Sequence, residues 1–355
     1  MQTHDDELER IKGEVDLVAL IQESGIVLRP VGRELMGRCL WHGEGPDTTP
    51  SLSVNTNKSV PVWRCFGCQL GGTCIDWVMK RDGISFRRAK ELLAARLVGQ
   101  SPTEGRGRRC NLPSPITLDA DDQQLLRDVV DYYWRTLERE PGPRDYLRRR
   151  GLAHPELVST FKLGYANRSL AYRLPPKSKN NDRDVRGRLM KIGVLRESSG
   201  HEHLAGSLVV PVFDENGDVA ELYGRKILDN LRAGTPKHLY LARKGRPDRG
   251  VWNWQGLAEE TILCEALIDA MTFWCAGYRN VTSTYGADVL PQGHVDAFVR
   301  HGVKRVLIAF DRDEAGDRGA AMVNAKLSGV GIACFRVRFP HGMDPNEYAS
   351  KVKPT

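Results

Sequence analysis

A chain of 355 residues is longer than one ordinary compact domain, so two or three domains are expected. The net charge of +7 and a pI near 9.0 suit a partner that carries phosphates. No run of about 18 apolar residues occurs and the start, MQTHDDELER, is polar, so neither a membrane span nor a signal peptide is expected. Eight cysteines without a repeated framework point to a reducing, cytoplasmic setting.

From the N-terminus, Glu34 to Arg38 and Val60 to Arg64 read as short strands, each leading into a knuckle. The knuckles are Cys39-Leu-Trp-His42 and Cys65-Phe-Gly-Cys68, with twenty-two residues between them. Two-residue spacers let both members of a pair face one ion, and the four ligands Cys39, His42, Cys65 and Cys68 close one structural, tetrahedral zinc site. A closed shell leaves no position for substrate. Cys74 is expected to be a small buried residue opening a helix over Ile75 to Lys80. Cys110, Cys264, Cys275 and Cys334 lack metal spacing and are expected in the core. Phe86 to Val98 reads as a helix closing the first domain. Residues 99–115, rich in Gly, Pro, Ser and Arg, bury too little to fold alone and read as a flexible tether.

Beyond the tether, Leu125, Val129, Tyr132, Tyr133 and Leu137 recur at helical spacing within Asp121 to Glu138, and a second helix is expected over Arg144 to Arg150. From Leu163 to Leu241 the pattern is short strands and turns, with Pro175 to Asp184 an exposed loop and Glu215-Asn216-Gly217-Asp218 a hairpin signal. Basic residues cluster at Arg148 to Arg150, at Arg183, Arg186 and Arg188, and at Lys237, Arg243, Lys244 and Arg246. Each cluster is either a phosphate-binding surface or an ordinary solvated face.

From Ala258 onward, strands at 261–264, 281–285, 304–310 and 332–338 alternate with helices, which makes an α/β layer. Glu265 follows the first of these strands and shares a helix face with Asp269, four residues on. Asp311 and Asp313 leave the third strand on one side, Asp317 follows, and Asp344 lies in MDPNEY. Open parallel sheets place ligands at the carboxyl ends of their strands. Carboxylates gathered there repel one another unless a hard cation neutralises them, which points to magnesium or manganese. The plainer alternative is that Asp313 and Asp317 cap or decorate the helix Glu314 to Leu327 and that Asp269 is solvated.

The series E-x-x-x-D, D-x-D and D-P resembles the Toprim fold of bacterial primases, topoisomerases and some nucleases. A C-x-x-H…C-x-x-C ribbon ahead of it resembles the DnaG-type primases of bacteria and phages over nearly the whole chain. Weaker matching phrases lie in order between the two: Arg150-Gly151-Leu152, Gly164-Tyr165-Ala166, Asp214 to Gly217, Tyr223-Gly224-Arg225 and Thr235-Pro236-Lys237. The resemblance implies a multidomain α+β and α/β protein: a zinc-ribbon DNA-binding domain (1–98), a linker (99–115), a mixed α/β basic part of an RNA polymerase core (116–255) and a Rossmann-like Toprim domain (256–355).

It also implies synthesis of short RNA primers on single-stranded DNA by metal-dependent nucleotidyl transfer. Glu265, Asp311 and Asp313 are the implied catalytic carboxylates, with Asp269, Asp317 and Asp344 supporting magnesium or manganese. Arg225 and Lys237, with Arg186 and Arg188, are the implied contacts to template or nucleotide, and Trp63 or Phe66 is expected to stack on a base. Implied partners are a single-stranded DNA template, ribonucleoside triphosphates and a replicative helicase, with no membrane. The resembling primases often carry a second acid two residues after the last Asp; here Asn346 stands there, with Glu347 next to it as a substitute. The chain runs only a few residues past that motif, which suggests a compact primase of a phage, plasmid or mobile element, or a piece of a longer protein. Two other functions remain open: a Toprim-type nuclease or strand-transfer enzyme, and a non-catalytic zinc-ribbon protein that binds single-stranded DNA in replication.

Overall fold

The computed structural model describes residues 3–41, 50–98, 117, 121–174, 185–228, 231, 234–241, 249–286 and 290–352. His42, Cys110, the tether 99–115, the loop 175–184 and Arg183, Arg243, Lys244 and Arg246 lie outside the described residues. In chain order come α1 (Thr3–Glu14), α2 (Leu17–Glu23), β1 (Arg29–Val31), β2 (Glu34–Gly37), β3 (Leu52–Asn55), β4 (Val62–Cys65), β5 (Gly71–Gly72), α3 (Cys74–Asp82) and α4 (Phe86–Leu97). The middle holds α5 (Asp122–Arg139), α6 (Pro141–Arg149), α7 (Pro155–Thr160), β6 (Gly164–Tyr165), α8 (Leu170–Arg173), α9 (Val185–Lys191), β7 (Ser207–Phe213), β8 (Val219–Lys226) and β9 (His238–Leu239). The last part holds β10 (Glu260–Cys264), α10 (Leu267–Cys275), β11 (Val281–Ser283), α11 (Gln292–Arg300), β12 (Arg305–Ala309), α12 (Glu314–Ser328), β13 (Ala333–Arg336) and α13 (Pro345–Val352). Contacts divide the chain into one unit of residues 1–125 and 166–205 and another of residues 126–165 and 206–355.

In the first unit, β1 to β5 form an antiparallel sheet in sequence order. Its core is built on Trp41, Trp63 and Trp77, whose ring centroids lie 4.6, 5.1 and 5.5 Å apart in tilted and edge-on contacts, the arrangements the ring quadrupole favours. Two of these indoles bond through N–H: Trp63 donates to the Thr73 carbonyl at 3.1 Å and Trp77 to the Ser24 hydroxyl at 3.3 Å. Thr73 and Asp76 form a capping box at the start of α3, and Gly83 (φ +65°) ends it in the left-handed conformation. Cys74 opens α3, fully buried, with its thiol on the Ile11 carbonyl. The helices α1, α2, α7, α8 and α9 answer to no element expected from the sequence. In α9 the apolar positions Val185 and Leu189 are spaced one turn apart, but the intervening arginines mask the period.

The second unit holds two sheets. The antiparallel one has the order β6-β7-β8-β9. Its β7–β8 hairpin turns where the sequence signalled it, with the Asp214 carboxylate accepting from the Asn216 and Asp218 amides and Gly217 at φ +80°. The second sheet is parallel throughout, in the order β11-β10-β12-β13. The strand period of two splits its side chains between two cores. Ile262, Cys264 and Ala309 pack with Leu267, Ala270, Met271 and Trp274 of α10 and with Val210 and Val212 of β7. Leu263, Val306 and Ile308 pack with Phe298 of α11 and with Val323 and Leu327 of α12. Helices therefore cover both faces, as purely parallel sheets require. Cys264 is buried as expected, whereas Cys275 and Cys334 are only half-buried.

Candidate metal centres and nucleic-acid interface

Cys39 follows β2, Cys65 ends β4 and Cys68 lies in the turn before β5. The three buried sulfurs all lie within 4.8 Å of one another, and the Cys39 and Cys68 sulfurs are 3.8 Å apart. Ligands at about 2.3 Å from a zinc ion span a tetrahedral edge of about 3.8 Å, the separation of the Cys39 and Cys68 sulfurs. The Trp41 amide at 3.5 Å from the Cys39 sulfur and the Cys68 amide at 3.4 Å from the Cys65 sulfur orient the knuckles. Hydrogen bonding from Cys39 and Cys68 lowers the Cys65 thiol, and the contacts with Cys65 and Cys68, with burial, raise Cys39.

The acidic residues come together through the parallel ladder. Cys264 pairs with Ala309 across β10 and β12, so Glu265 and Asp311 leave the same end of neighbouring strands, which run about 4.8 Å apart. The carbonyl of Glu265 is held by the Gly286 amide at 2.9 Å, from the turn after β11 in which Tyr285 adopts φ +68°. Asp311 is pushed up to about 6 by burial, then by Asp344 and Asp313, against the pull of Arg336. Its Oδ1 is buried and has no hydrogen-bond partner among the described residues. Asp269, 4% exposed on the first turn of α10, stands well above the usual carboxylate range because of burial, then Asp344, Asp311 and Glu265. Carboxylates that raise one another, with a buried oxygen lacking a donor, have the chemistry to hold a hard divalent cation. Among the described residues, only the three thiols meet within 4.8 Å as a group of three; the carboxylates are spaced more widely.

The remaining acids are partly engaged. Asp313 is exposed and caps α12, its Oδ1 accepting from the Gly316 amide at 2.8 Å, so the plainer capping role is also present. Gly316 is dictated by closeness: a Cβ there would lie 2.2 Å from the Asp311 carbonyl oxygen. Asp344 accepts from the Glu347 amide at the start of α13. Asp317 departs from the expected ligand role. It is exposed, pairs with Arg336 at 3.1 Å and Arg312 at 3.6 Å, and is lowered first by its hydrogen bond to Arg336. Arg336, which drew no attention in the sequence, also donates to the carbonyls of Ile308, Phe310 and Asp311 at 3.3, 2.9 and 2.8 Å. It braces the strand end from which Asp311 projects. Asn346 is buried, and Glu347 is exposed and paired with Lys351.

The basic and aromatic candidates divide. Arg225 on β8 donates to Nε2 of His238, whose Nδ1 lies 2.9 Å from the Tyr223 hydroxyl. A guanidinium only donates, so Nε2 accepts and the ring is neutral; desolvation, then Arg225 and Lys237, hold it down at about 4. Lys237 is exposed. Arg188 binds Asp122 at 2.9 Å with its side chain 25% exposed. Two expected contacts are corrected by burial. Arg186 is 8% exposed and donates to the Ala171 and Leu174 carbonyls, which makes it a brace of the fold. Trp63 is 1% exposed inside the tryptophan cluster and has no ring face open to a base. Phe66 is 54% exposed in the second knuckle, with the Arg64 guanidinium 5.7 Å from its ring centroid.

These features define a zinc-ribbon module joined to a parallel-sheet, carboxylate-bearing module. Residues 3–108 match the CHC2 zinc finger family and residues 262–349 the Toprim-like family. The chain is 29% identical over 352 residues to a DNA primase of Aquifex aeolicus, covering 96% of this chain and 66% of that protein. A DNA primase of Halalkalibacterium halodurans is 27% identical over 372 residues, covering 97% of this chain and 57% of that protein. The chain therefore spans less than two thirds of the curated relatives' length. Among solved structures, the zinc-binding and RNA polymerase domains of the Aquifex aeolicus primase are similar with a TM-score of 0.53 at 25% identity, over 97% of this chain and 82% of that one. A DnaG catalytic domain bound to single-stranded DNA is similar in fold, with a TM-score of 0.53 at 20% identity over 65% of this chain and 76% of that one. The order of a CHC2 zinc finger and a Toprim-like region, together with these relatives, supports a likeness to the DnaG-type primases.

Proposed function

We propose that the chain is a primase: a DNA-directed RNA polymerase that makes short primers on single-stranded DNA. The observation that carries this reading is the convergence of Glu265, Asp311, Asp269 and Asp344 at the carboxyl end of β10 and β12, with Asp269 buried and Asp311 holding an unpartnered oxygen. The solved relative bound to single-stranded DNA supports the template class. We propose the functional division 1–98, 116–255 and 256–355 for the zinc, basic and catalytic parts.

Glu265, Asp311 and Asp313 would hold magnesium or manganese, with Asp269 and Asp344 behind them. A divalent cation there would neutralise nucleotide phosphates and stabilise the oxygens that attack and leave. The chain's own residues do the placing. Arg336 fixes the backbone of Asp311, and the Asp313 cap fixes the loop that follows it. Arg225, held by a neutral His238, and Lys237 present positive charge to template or nucleotide phosphates, a contribution that weakens with salt. The zinc is structural, and its ribbon presents Arg64 and Phe66 to a single strand.

The test is incorporation of labelled ribonucleotides on a mixed single-stranded DNA template with Mg²⁺ or Mn²⁺, comparing wild type, Asp311→Asn and Cys65→Ser. Short products that vanish in Asp311→Asn are expected. Nicking of DNA, or binding with no product under either metal, would replace the primase reading by a nuclease or a binding protein.

A further inference from the structure

Asn346 is 1% exposed and every polar group of its side chain is used. Its amide nitrogen donates to the Arg150 carbonyl at 2.9 Å and to the Thr272 hydroxyl at 2.8 Å, while its Oδ1 accepts from the Arg150 guanidinium at 3.0 Å. Its backbone N–H donates to Asp269 Oδ1 at 3.3 Å. A carbonyl oxygen only accepts and a guanidinium only donates, so the atom at the Arg150 carbonyl must be the amide nitrogen and the one at its guanidinium the amide oxygen, which fixes the orientation of the side chain. A carboxylate in the same place would set oxygen against oxygen inside a buried cluster that already holds Asp269. One residue thus ties the first turn of α13, the Asp269 turn of α10 and the turn that ends α6. Asp344 lies immediately before that first turn of α13 and is the charge that acts most strongly on both Asp269 and Asp311.

We propose that Asn346 is a positioning residue: its amide clamps α13 to α10 and to Arg150, sets the Asp269 and Asp344 carboxylates against Asp311, and supplies no ligand atom to the cation. This rests on the proposed divalent-metal centre. The geometry separates the clamp from a vacated ligand position, because both ends of the amide are bonded to protein and a ligand atom would have to be freed first. Partners that orient metal-binding groups in this way are worth about 10- to 100-fold in metal affinity when lost.

The experiment counts Mn²⁺ bound by the full chain with zinc retained, using the electron paramagnetic resonance of free Mn²⁺, beside thermal unfolding without added divalent ion. Wild type is compared with Asp311→Asn, Asn346→Asp, Asn346→Ala and Thr272→Val. Mn²⁺ binding in wild type that is lost in Asp311→Asn sustains the metal centre; its absence from wild type removes that centre and the clamp with it. Given that binding, Asn346→Asp and Asn346→Ala are expected to bind Mn²⁺ about tenfold more weakly with no change in the number of ions, and Thr272→Val, which deletes one bond, about twofold more weakly. Asn346→Asp taking up an additional ion would show a ligand position and overturn the clamp. Melting temperatures that fall while Mn²⁺ affinity stays at the wild-type value would equally overturn it. If Asn346→Ala does not unfold cooperatively, Asn346→Asp and Thr272→Val decide.

Discussion

The two candidate metal centres are built by opposite means. The thiol site is local: two knuckles a few residues long bring three sulfurs within 4.8 Å, buried in the core of a small sheet. The carboxylate site is assembled from β10, α10, β12 and the start of α13, residues up to 79 positions apart, counting from Glu265 to Asp344. Thiols are weak acids and can be packed together neutral; carboxylates at neutral pH cannot, and they push one another's affinity for protons upward. Zinc in the first site would therefore constrain the fold, while a divalent ion held at the second would relieve repulsion between the carboxylates.

The largest expected effect breaks the first site. Cys65→Ser removes one thiol of the cluster and leaves two sulfurs. Zinc is expected to be lost and the cooperative unfolding of the first unit abolished, since structural zinc supplies about 10–16 kcal/mol of apparent binding energy in small fingers. Zinc content by atomic absorption and far-ultraviolet circular dichroism are the measurements; a fully zinc-loaded Cys65→Ser protein would contradict the ligand role.

The second site is sharpened by pH. Asp311 is raised from 3.8 to about 6, so between those values the folded chain binds a proton more tightly than the unfolded chain does. The stabilisation is full below about pH 4 and is lost as pH rises through about 6. For protein without added divalent ion, denaturant unfolding at pH 4 and pH 7 is expected to show this loss, about 1 kcal/mol after discounting for partial solvent exposure. Asp311→Asn should flatten that dependence and raise stability at pH 7, while the proposed primer synthesis is expected to be lost. Zinc-site variants should leave it unchanged. An Asp311→Asn chain less stable than wild type at pH 7 would mean that the carboxylate is satisfied by protein alone.

The same contrast explains what was legible beforehand. Spacing encodes the knuckles, and β-branched runs encode β10 and β12, so the ribbon, the parallel sheet and the order of the acids could be read directly. What spacing cannot carry is the bracing between elements. Arg336 lies in ACFR without a motif, yet it joins β13 to three carbonyls of the β12 end and to Asp317. Asn346 looked like a missing acid and is a saturated amide clamp. Asp317 matched the motif in sequence, but two guanidiniums reach it first. Trp63 and Arg186 were misjudged for one reason: residue type suggests nucleic-acid contact, whereas burial decides it, and burial depends on partners such as Trp77 and the α8 carbonyls that lie elsewhere in the sequence.

The smallest effect separates the two aromatic residues of the second knuckle strand. Trp63 faces inward from β4 and Phe66 outward from the turn that follows it. Trp63→Ala would open a cavity beside the zinc cluster and cost about 3–5 kcal/mol of stability, so any loss of DNA binding in that variant reports unfolding. Phe66→Ala removes an exposed ring and leaves the tryptophan cluster and the thiols untouched. A base stacked on such a ring is worth about 1–3 kcal/mol, and at so exposed a ring the lower end applies, so a loss of about fivefold in affinity for a short single strand is expected. Zinc content and melting temperature should remain at wild-type values. Fluorescence anisotropy of a labelled oligonucleotide measures it, and because ring stacking is insensitive to ionic strength while phosphate contact is not, the Phe66→Ala deficit should persist at raised salt. A deficit that disappears with salt would assign the ribbon's affinity to Arg64 and its neighbours in place of the ring.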